Sequence, residues 1–159
     1  MDALQAVRII AVVCTGLLAG IYFGYRAGVY HALQELTATD FVRFQRVVHV
    51  RYIKVLPVLL LGALIASVLW LVMIWSQFGS AEFWLVAISC AGIVLVGAIT
   101  RAVNIPLNKQ LITWNVDTPP SNLKEIWAPW DRVNTIRTLV ATTVLILETV
   151  ALSLAPIAA

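Results

Sequence analysis

Two histidines and their polar neighbours are the side chains of this sequence that are best suited to proton transfer. His49 follows Gln45 and precedes Tyr52, so the three residues share one helical face at i, i+4 and i+7 spacing. An imidazole titrates near neutral pH and can act as a general base towards a bound molecule. His31 and Glu35, one turn apart, form a second polar pair on an earlier segment. We treat these residues as candidates for catalysis or ligand binding, although His31 and Glu35 also suit a solvated helix face.

Amides, indoles and guanidinium groups recur in the carboxyl-terminal half at helical spacing. A guanidinium group flanked by amides can stabilise an anion, and an indole can stack on a flat aromatic molecule. The simpler interpretation is that the tryptophans form an interfacial belt and the asparagines only join helices. The residues are Arg101, Asn104 and Asn108 on one predicted face, and Trp127, Trp130, Asn134 and Arg137 on another.

Glu148 differs from the other acids because it falls near the middle of an apolar segment. It follows Arg137 by eleven residues, which returns a helix almost to the same face, so it should point into the protein. Thr15, Ser67 and Ser89 are its expected partners at similar depth. Away from water the carboxyl group is expected to be protonated and to donate a hydrogen bond. A structural and a functional role both fit this intramembrane acid.

Apolar segments must position these side chains. Of the 159 residues, 61% are hydrophobic and only 12% are charged, whereas soluble domains have roughly a quarter charged residues. Four apolar stretches approach the ~20 residues that cross a bilayer, at about 9–25, 55–75, 83–100 and 138–158. The sequence therefore predicts one membrane domain over 1–159, an all-α four-helix transmembrane bundle with up-down-up-down topology.

The basic residues predict the orientation of this bundle. All Lys and Arg residues except Arg8 lie between Arg26 and Lys54 or between Arg101 and Arg137. The positive-inside rule places both long connections in the cytoplasm and both termini outside, in the cell (inner) membrane. The net charge of +3 is too small and scattered to indicate a nucleic-acid partner.

Helix-start signals suggest that the helices extend beyond the membrane on the cytoplasmic side. Thr37, Thr39 and Asp40 are candidate caps of the second helix, and Ser121 is the candidate cap of the last. The stretch from Leu111 to Pro129 is expected to be the main loop.

Glycine occurs every fourth residue in the first apolar segment, at Gly16, Gly20, Gly24 and Gly28. Such spacing allows helices to approach closely in lipid. Packing within the bundle is the favoured interpretation. A homodimer seam and a groove for a flat ligand are the alternatives.

Several of these motifs together resemble the anthrone oxygenase-like family of small membrane proteins, long described only as a domain of unknown function. The resemblance covers nearly the whole chain. Its most specific parts are the Asn-x-Pro-Leu-Asn motif ending at Asn108 and the Trp-x-x-Trp…Asn-x-x-Arg-Thr motif. It rests on Gly20-Ile-Tyr-Phe-Gly24, Phe41 with Gln45, Ala102-Val-Asn-Ile-Pro-Leu-Asn108 with Trp114, and Trp127-x-x-Trp130-Asp-Arg-Val-Asn134-Thr-Ile-Arg137-Thr138.

The resemblance implies a four-helix membrane protein that oxidises an anthrone to an anthraquinone with molecular oxygen and no established cofactor. It also implies that Asn104, Asn108, Trp130, Asn134 and Arg137 form the polar signature. We therefore expect a cofactor-independent oxygenase that acts on a small aromatic or quinone-like molecule. In this reading Asn104, Asn134 and Arg137 are catalytic together with His49, while Trp130, Asn108, His31, Tyr52 and Trp127 bind the substrate.

Two other functions are compatible with the sequence. His31, Glu35 and His49 could supply a two-His-one-carboxylate set for iron. Alternatively, the bundle is not an enzyme: it binds a lipid or quinone from the bilayer, or serves as a subunit of a larger membrane assembly. We expect turnover, metal content and co-purifying molecules to discriminate between these functions.

Overall fold

The chain folds into long helices, which the computed structural model describes over residues 2–154. The last four residues of the predicted fourth span, 155–158, lie outside the described residues. The helices are α1 (Ala3–Glu35), α2 (Ala38–Met73), α3 (Ala81–Thr113) and α4 (Leu123–Ser153). All four are long and apolar enough to cross a membrane, which confirms the predicted all-α four-helix transmembrane bundle.

Side-chain caps explain where three of the helices begin. The carboxylate of Asp2 accepts a hydrogen bond from the Gln5 amide, and the Ser80 hydroxyl accepts one from the Phe83 amide. Thr37 caps α2 by accepting from the Asp40 amide, as one of the predicted candidates. Each cap satisfies a backbone donor that the first helical turn leaves free.

The start of α4 differs from the prediction. The helix begins at Leu123, and the preceding helix ends at Thr113, so about half of the stretch that was expected to be loop is helical, including Pro129. Asn122, not Ser121, occupies the cap position, and its side chain makes no cap hydrogen bond. The loop is thus confined to residues 114–122, and α4 projects well beyond the apolar span.

The helices are arranged in a ring in which each packs against two neighbours: α1 on α2 and α4, and α3 on α2 and α4. Aliphatic residues on the outer surface are widely exposed, for example Leu61 and Leu139. Such a surface suits contact with lipid. The tip of the α1–α2 hairpin and the 114–122 loop lie at one end of the bundle, here named the cavity end. The α2–α3 turn lies at the other, the short-turn end.

Close helix packing comes from glycines other than those the sequence pattern favoured. A Cβ added at Gly16 would lie 3.5 Å from a methyl group of Leu145, whereas one added at Gly20, Gly24 or Gly28 would meet nothing within 4 Å. The prediction of packing within the bundle therefore holds for Gly16 and is wrong for the other three. The tightest approach is at Gly92 of α3, which faces a valine of α4.

A buried ion pair joins two helices at the short-turn end. Arg8 of α1 and Glu82 of α3 are 2.5 Å apart and both nearly inaccessible. The same Glu82 oxygen also accepts a hydrogen bond of 2.8 Å from the Trp70 indole of α2. This cluster fixes three helices at the end opposite to the cavity.

Candidate functional site

A cavity of about 220 Å³ lies at the cavity end, mainly between α2 and α3. Its walls are largely apolar, with a few convergent polar groups, as is typical of small-molecule sites. All four helices contribute to it. The residues that matter for its chemistry are Tyr25 from α1, Gln45, His49 and Tyr52 from α2, Thr100, Asn104 and Asn108 from α3, and Trp127, Trp130 and Arg137 from α4.

Two π-helical turns help to shape this cavity. One spans Tyr25–Val29 in α1 and the other spans Thr100–Asn104 in α3. A π turn inserts extra chain into one turn of a helix and is frequent at functional sites. Here each turn supplies residues to the cavity wall: Tyr25 from the first, Thr100 and Asn104 from the second.

Arg137 is a buried cation without an acidic partner. Only 3% of its surface is exposed, and the ion pairs in the described part of the chain do not include it. Its guanidinium group donates to the Thr100 hydroxyl at 3.0 Å and to the Asn134 amide oxygen at 2.8 Å. It also lies 4.7 Å from the Tyr22 ring centroid. Neutral dipoles and an aromatic face therefore hold its charge, which stays available to an anion in the cavity.

Two stacked indoles form the aromatic wall. The Trp127 and Trp130 rings are 5.0 Å apart and inclined by only 18°. Trp130 is fixed by a hydrogen bond of 2.9 Å from its indole nitrogen to Asn108, and the Tyr25 ring meets it edge-on. Arg137 lies 5.7 Å from the Trp130 ring. This arrangement offers a flat apolar surface beside a positive charge.

Asn104 presents an amide with no partner. The residue is 1% exposed, and neither its oxygen nor its nitrogen makes a hydrogen bond in the structure. Buried amides are ordinarily paired, because an unpaired one costs roughly 1–3 kcal/mol. Since Asn104 lines the cavity, a bound molecule with a carbonyl or hydroxyl group could pair with it.

The structure brings most of the sequence-predicted site residues together. His49 and Tyr52 are half-buried on the cavity wall, as are Asn108 and Trp130. Asn134 is buried behind the wall and acts on the cavity through its hydrogen bond to Arg137. It is thus placed as a positioning residue.

Two predicted residues lie elsewhere. His31 is exposed on α1 and lines no part of the cavity. The π turn at Tyr25–Val29 precedes His31 and changes the rotation of the residues that follow it, while Tyr25 at its start lines the cavity. Glu148 is completely buried deeper in the bundle, as expected for an intramembrane acid, and Ser67, one of its expected partners, lies within hydrogen-bond distance.

Sequence reasoning missed Tyr25 and Thr100, and it placed Arg101 on the inner face of α3. Arg101 is exposed, whereas Thr100 lines the cavity and hydrogen-bonds Arg137. The signal was present, because Thr100, Asn104 and Asn108 also follow one another at four-residue spacing.

The structure does not assemble the ligand set that was considered for iron. No group of three or more His, Cys, Asp and Glu side chains that could hold a metal occurs among residues 2–154. His49 is on the cavity wall, whereas His31 and Glu35 are exposed on α1. The residues present therefore do not fit a two-His-one-carboxylate centre.

Comparison with known proteins gives one informative match. No curated protein and no solved structure matches the chain significantly. A family model described as anthrone oxygenase matches residues 44–147, which is more than half of the chain and includes every cavity residue named above except Tyr25. Four helices that are long and apolar enough to cross a membrane accompany this match, and the chain belongs to the anthrone oxygenase family.

Proposed function

We propose that this multi-pass membrane protein is an oxygenase that converts a flat phenolic ketone of the anthrone type into a quinone with molecular oxygen. The observation that carries the proposal is Arg137, a buried cation without an acidic partner, beside the stacked indoles of Trp127 and Trp130. A planar molecule that becomes anionic during its reaction needs both features. The family membership supports the same class of reaction.

In the first step a proton leaves the carbon opposite the ketone. The imidazole of His49, on the cavity wall, is the general base that we assign to this proton. Loss of the proton makes the central ring aromatic and moves negative charge to the ketone oxygen. Arg137 and the free amide of Asn104 then stabilise that enolate oxygen.

In the second step the enolate gives one electron to O2, and the resulting radicals combine into a carbon-bound peroxide anion. This anion takes back the proton held by His49 and becomes a hydroperoxide. The hydroperoxide loses water and leaves the second carbonyl group of the quinone. One O2 is consumed for each anthrone, one oxygen atom enters the quinone and the other leaves as water. The electrons come from the substrate itself, so this scheme assigns no step to a protein-bound redox group.

The same proposal includes an orientation in the membrane. We assign the cavity end to the cytoplasm, because every Lys and Arg residue except Arg8 falls in the two chain segments that form this end. The substrate would then reach the cavity from the cytoplasmic half of the bilayer or from the adjoining water.

The test is turnover by purified protein in lipid nanodiscs, with anthrone as substrate. Quinone formation is followed by absorbance and oxygen uptake by an electrode, with empty nanodiscs correcting for spontaneous oxidation. Arg137→Leu should lower kcat/KM by roughly 100- to 1000-fold, the usual effect of removing an oxyanion-stabilising donor.

Arg132→Leu is the matched control. Arg132 lies on the same helix but is exposed, so its loss removes one positive charge without touching the cavity and should leave turnover unchanged. If Arg137→Leu protein folds and retains full turnover, the mechanism is wrong. Wild-type protein that binds anthrone but never oxidises it would contradict the oxygenase assignment itself.

A further inference from the structure

A polar cluster lies in the apolar middle of the bundle, away from the cavity. Each helix contributes one residue: Thr15, Ser67, Ser89 and Glu148, each at most 1% exposed. The Ser67 hydroxyl is 2.6 Å from Oε1 of Glu148, and Thr15 is a further neighbour of this carboxyl group. None of the four lines the cavity, so the protonation of this cluster can be tested separately from the proposed function.

Ser89 is placed at the same level by the packing of α3 on α4. Gly92 of α3 faces Val144 of α4, with its ideal Cβ position 2.5 Å from a valine methyl group. The two helices are antiparallel, so the residue one turn before Gly92 lies at the level of the residue one turn after Val144. These residues are Ser89 and Glu148, respectively.

The two oxygen contacts of the Ser67 hydroxyl favour a protonated Glu148. Its hydroxyl oxygen lies 2.6 Å from Oε1 of Glu148 and 2.8 Å from the carbonyl oxygen of Ala63. The carbonyl oxygen only accepts hydrogen bonds, and the hydroxyl has a single proton to donate. An ionised Glu148 would therefore compete with Ala63 for that proton. A protonated Glu148 donates to Ser67, Ser67 donates to Ala63, and both contacts are satisfied.

The surrounding charges favour the same state. Within residues 2–154 no ion pair involves Glu148, and Arg8 is already paired with Glu82. One titratable side chain near Glu148 is the Cys90 thiol, which brings no positive charge. An unpaired carboxylate at this depth would carry a very large desolvation cost, whereas the neutral acid avoids it.

We propose that Glu148 is a proton-binding site in the membrane interior, occupied at neutral pH and held as a carboxylic acid that donates to Ser67. Its other oxygen, Oε2, and the hydroxyl groups of Thr15 and Ser89 have no hydrogen-bond partner in the structure. In the neutral acid Oε2 belongs to a carbonyl group and accepts hydrogen bonds, and the hydroxyl group of the neighbouring Thr15 is a candidate donor. The acid thereby links α4 to α2 and fixes the rotation that directs Arg137, eleven residues earlier on the same face, into the cavity.

Infrared spectroscopy tests the protonation state directly. Wild-type protein and Glu148→Gln protein are compared in nanodiscs at neutral pH and in mild alkali, in H2O and D2O. We expect the wild type to show a protonated-carboxyl C=O band that moves in D2O, persists in mild alkali and is missing from Glu148→Gln. Glu125→Gln is the control: Glu125 is exposed, so its replacement should remove carboxylate absorption and leave the acid band.

Two further results decide the outcome. Ser67→Ala removes the acceptor, so the acid band should remain and shift in frequency; this variant also serves if Glu148→Gln does not fold. Exchange of Na⁺ for K⁺ should leave the band unchanged. A wild-type spectrum in which Glu148 contributes carboxylate absorption at neutral pH, or an acid band that Na⁺ abolishes, would overturn the proposal.

Discussion

Replacement of Asn104 by leucine should stabilise the empty protein and weaken its ligand binding. The Asn104 side chain is buried, and both of its polar atoms lack a partner. Each such atom costs roughly 1–3 kcal/mol, and an apolar side chain of similar volume removes this cost. Allowing for relaxation around the branched side chain, we expect a gain of about 1–3 kcal/mol. The thermal midpoint in detergent should rise by about 2–4 °C for each kcal/mol.

Binding should change in the opposite direction. A ligand whose carbonyl or hydroxyl group pairs with Asn104 is left with an unpaired polar group in the variant, which costs about 1–3 kcal/mol. The Kd for an anthrone-type ligand should therefore increase by roughly 5- to 150-fold. Quenching of the cavity tryptophans by the added ligand provides the measurement.

Asn108→Leu is the matched control, because this asparagine lies one turn further on and its amide oxygen is already paired with the Trp130 indole. Its replacement leaves an indole N–H without an acceptor and should lower stability by about 1 kcal/mol. If Asn104→Leu destabilises the protein as much as Asn108→Leu does, the Asn104 amide is part of the folded framework, and the argument that it is reserved for a ligand fails.

Two further substitutions test the helix packing, each by thermal unfolding in detergent. Glu82→Leu should lower the free energy of unfolding by about 3–5 kcal/mol, because it leaves Arg8 buried and unpaired. The double variant Arg8→Met/Glu82→Leu should recover most of that loss. A loss below about 1 kcal/mol in Glu82→Leu alone would contradict a buried ion pair. Gly92→Ala should destabilise by about 1–3 kcal/mol, because its Cβ would meet a Val144 methyl group at 2.5 Å. A Cβ at Gly20 would face open space, so Gly20→Ala should be neutral or stabilising by up to about 1 kcal/mol. Equal effects of the two substitutions would contradict the close contact between Gly92 and Val144.

Much of the fold follows from the sequence because lipid imposes simple requirements. Four long apolar stretches must become helices, and short turns between them must give neighbours of opposite direction. The spacing of Gln45, His49 and Tyr52 likewise predicted that they share one face of α2, and the structure places all three on the cavity wall. That spacing applies because no π turn interrupts α2 in this region.

Where a π turn interrupts a helix, the constant rotation per residue no longer applies. This explains why Arg101 was assigned to the inner face instead of Thr100. His31 was expected at the cavity from its residue type and its level along the helix, and neither shows which side of the helix faces inward. Nothing in the local residue types marks either turn. The surrounding packing therefore decides where the extra residue is accommodated.

The Arg8–Glu82 pair shows a different limit of sequence reasoning. The two residues are 74 positions apart, and each looks like an ordinary helix-end charge. Only the antiparallel packing of the bundle brings them together. One signal could have indicated this pair. Arg8 is the single Lys or Arg residue at the end that the sequence predicts to be extracytoplasmic. If such a charge is buried, it needs an acidic partner at the same end.

The two buried arginines differ in whether the protein itself pairs their charge. Arg8 is 4% exposed and meets a carboxylate that also satisfies the Trp70 indole. Arg137 is 3% exposed, yet its partners are neutral and its Nε donor is unpaired. A chain selected only for stability would pair or replace the second charge, because an unpaired buried cation is costly. Arg137 and the unpaired Asn104 both line the cavity, so we expect a bound anionic oxygen to recover this cost. This cost in the empty protein is what we expect of a site preorganised for an enolate.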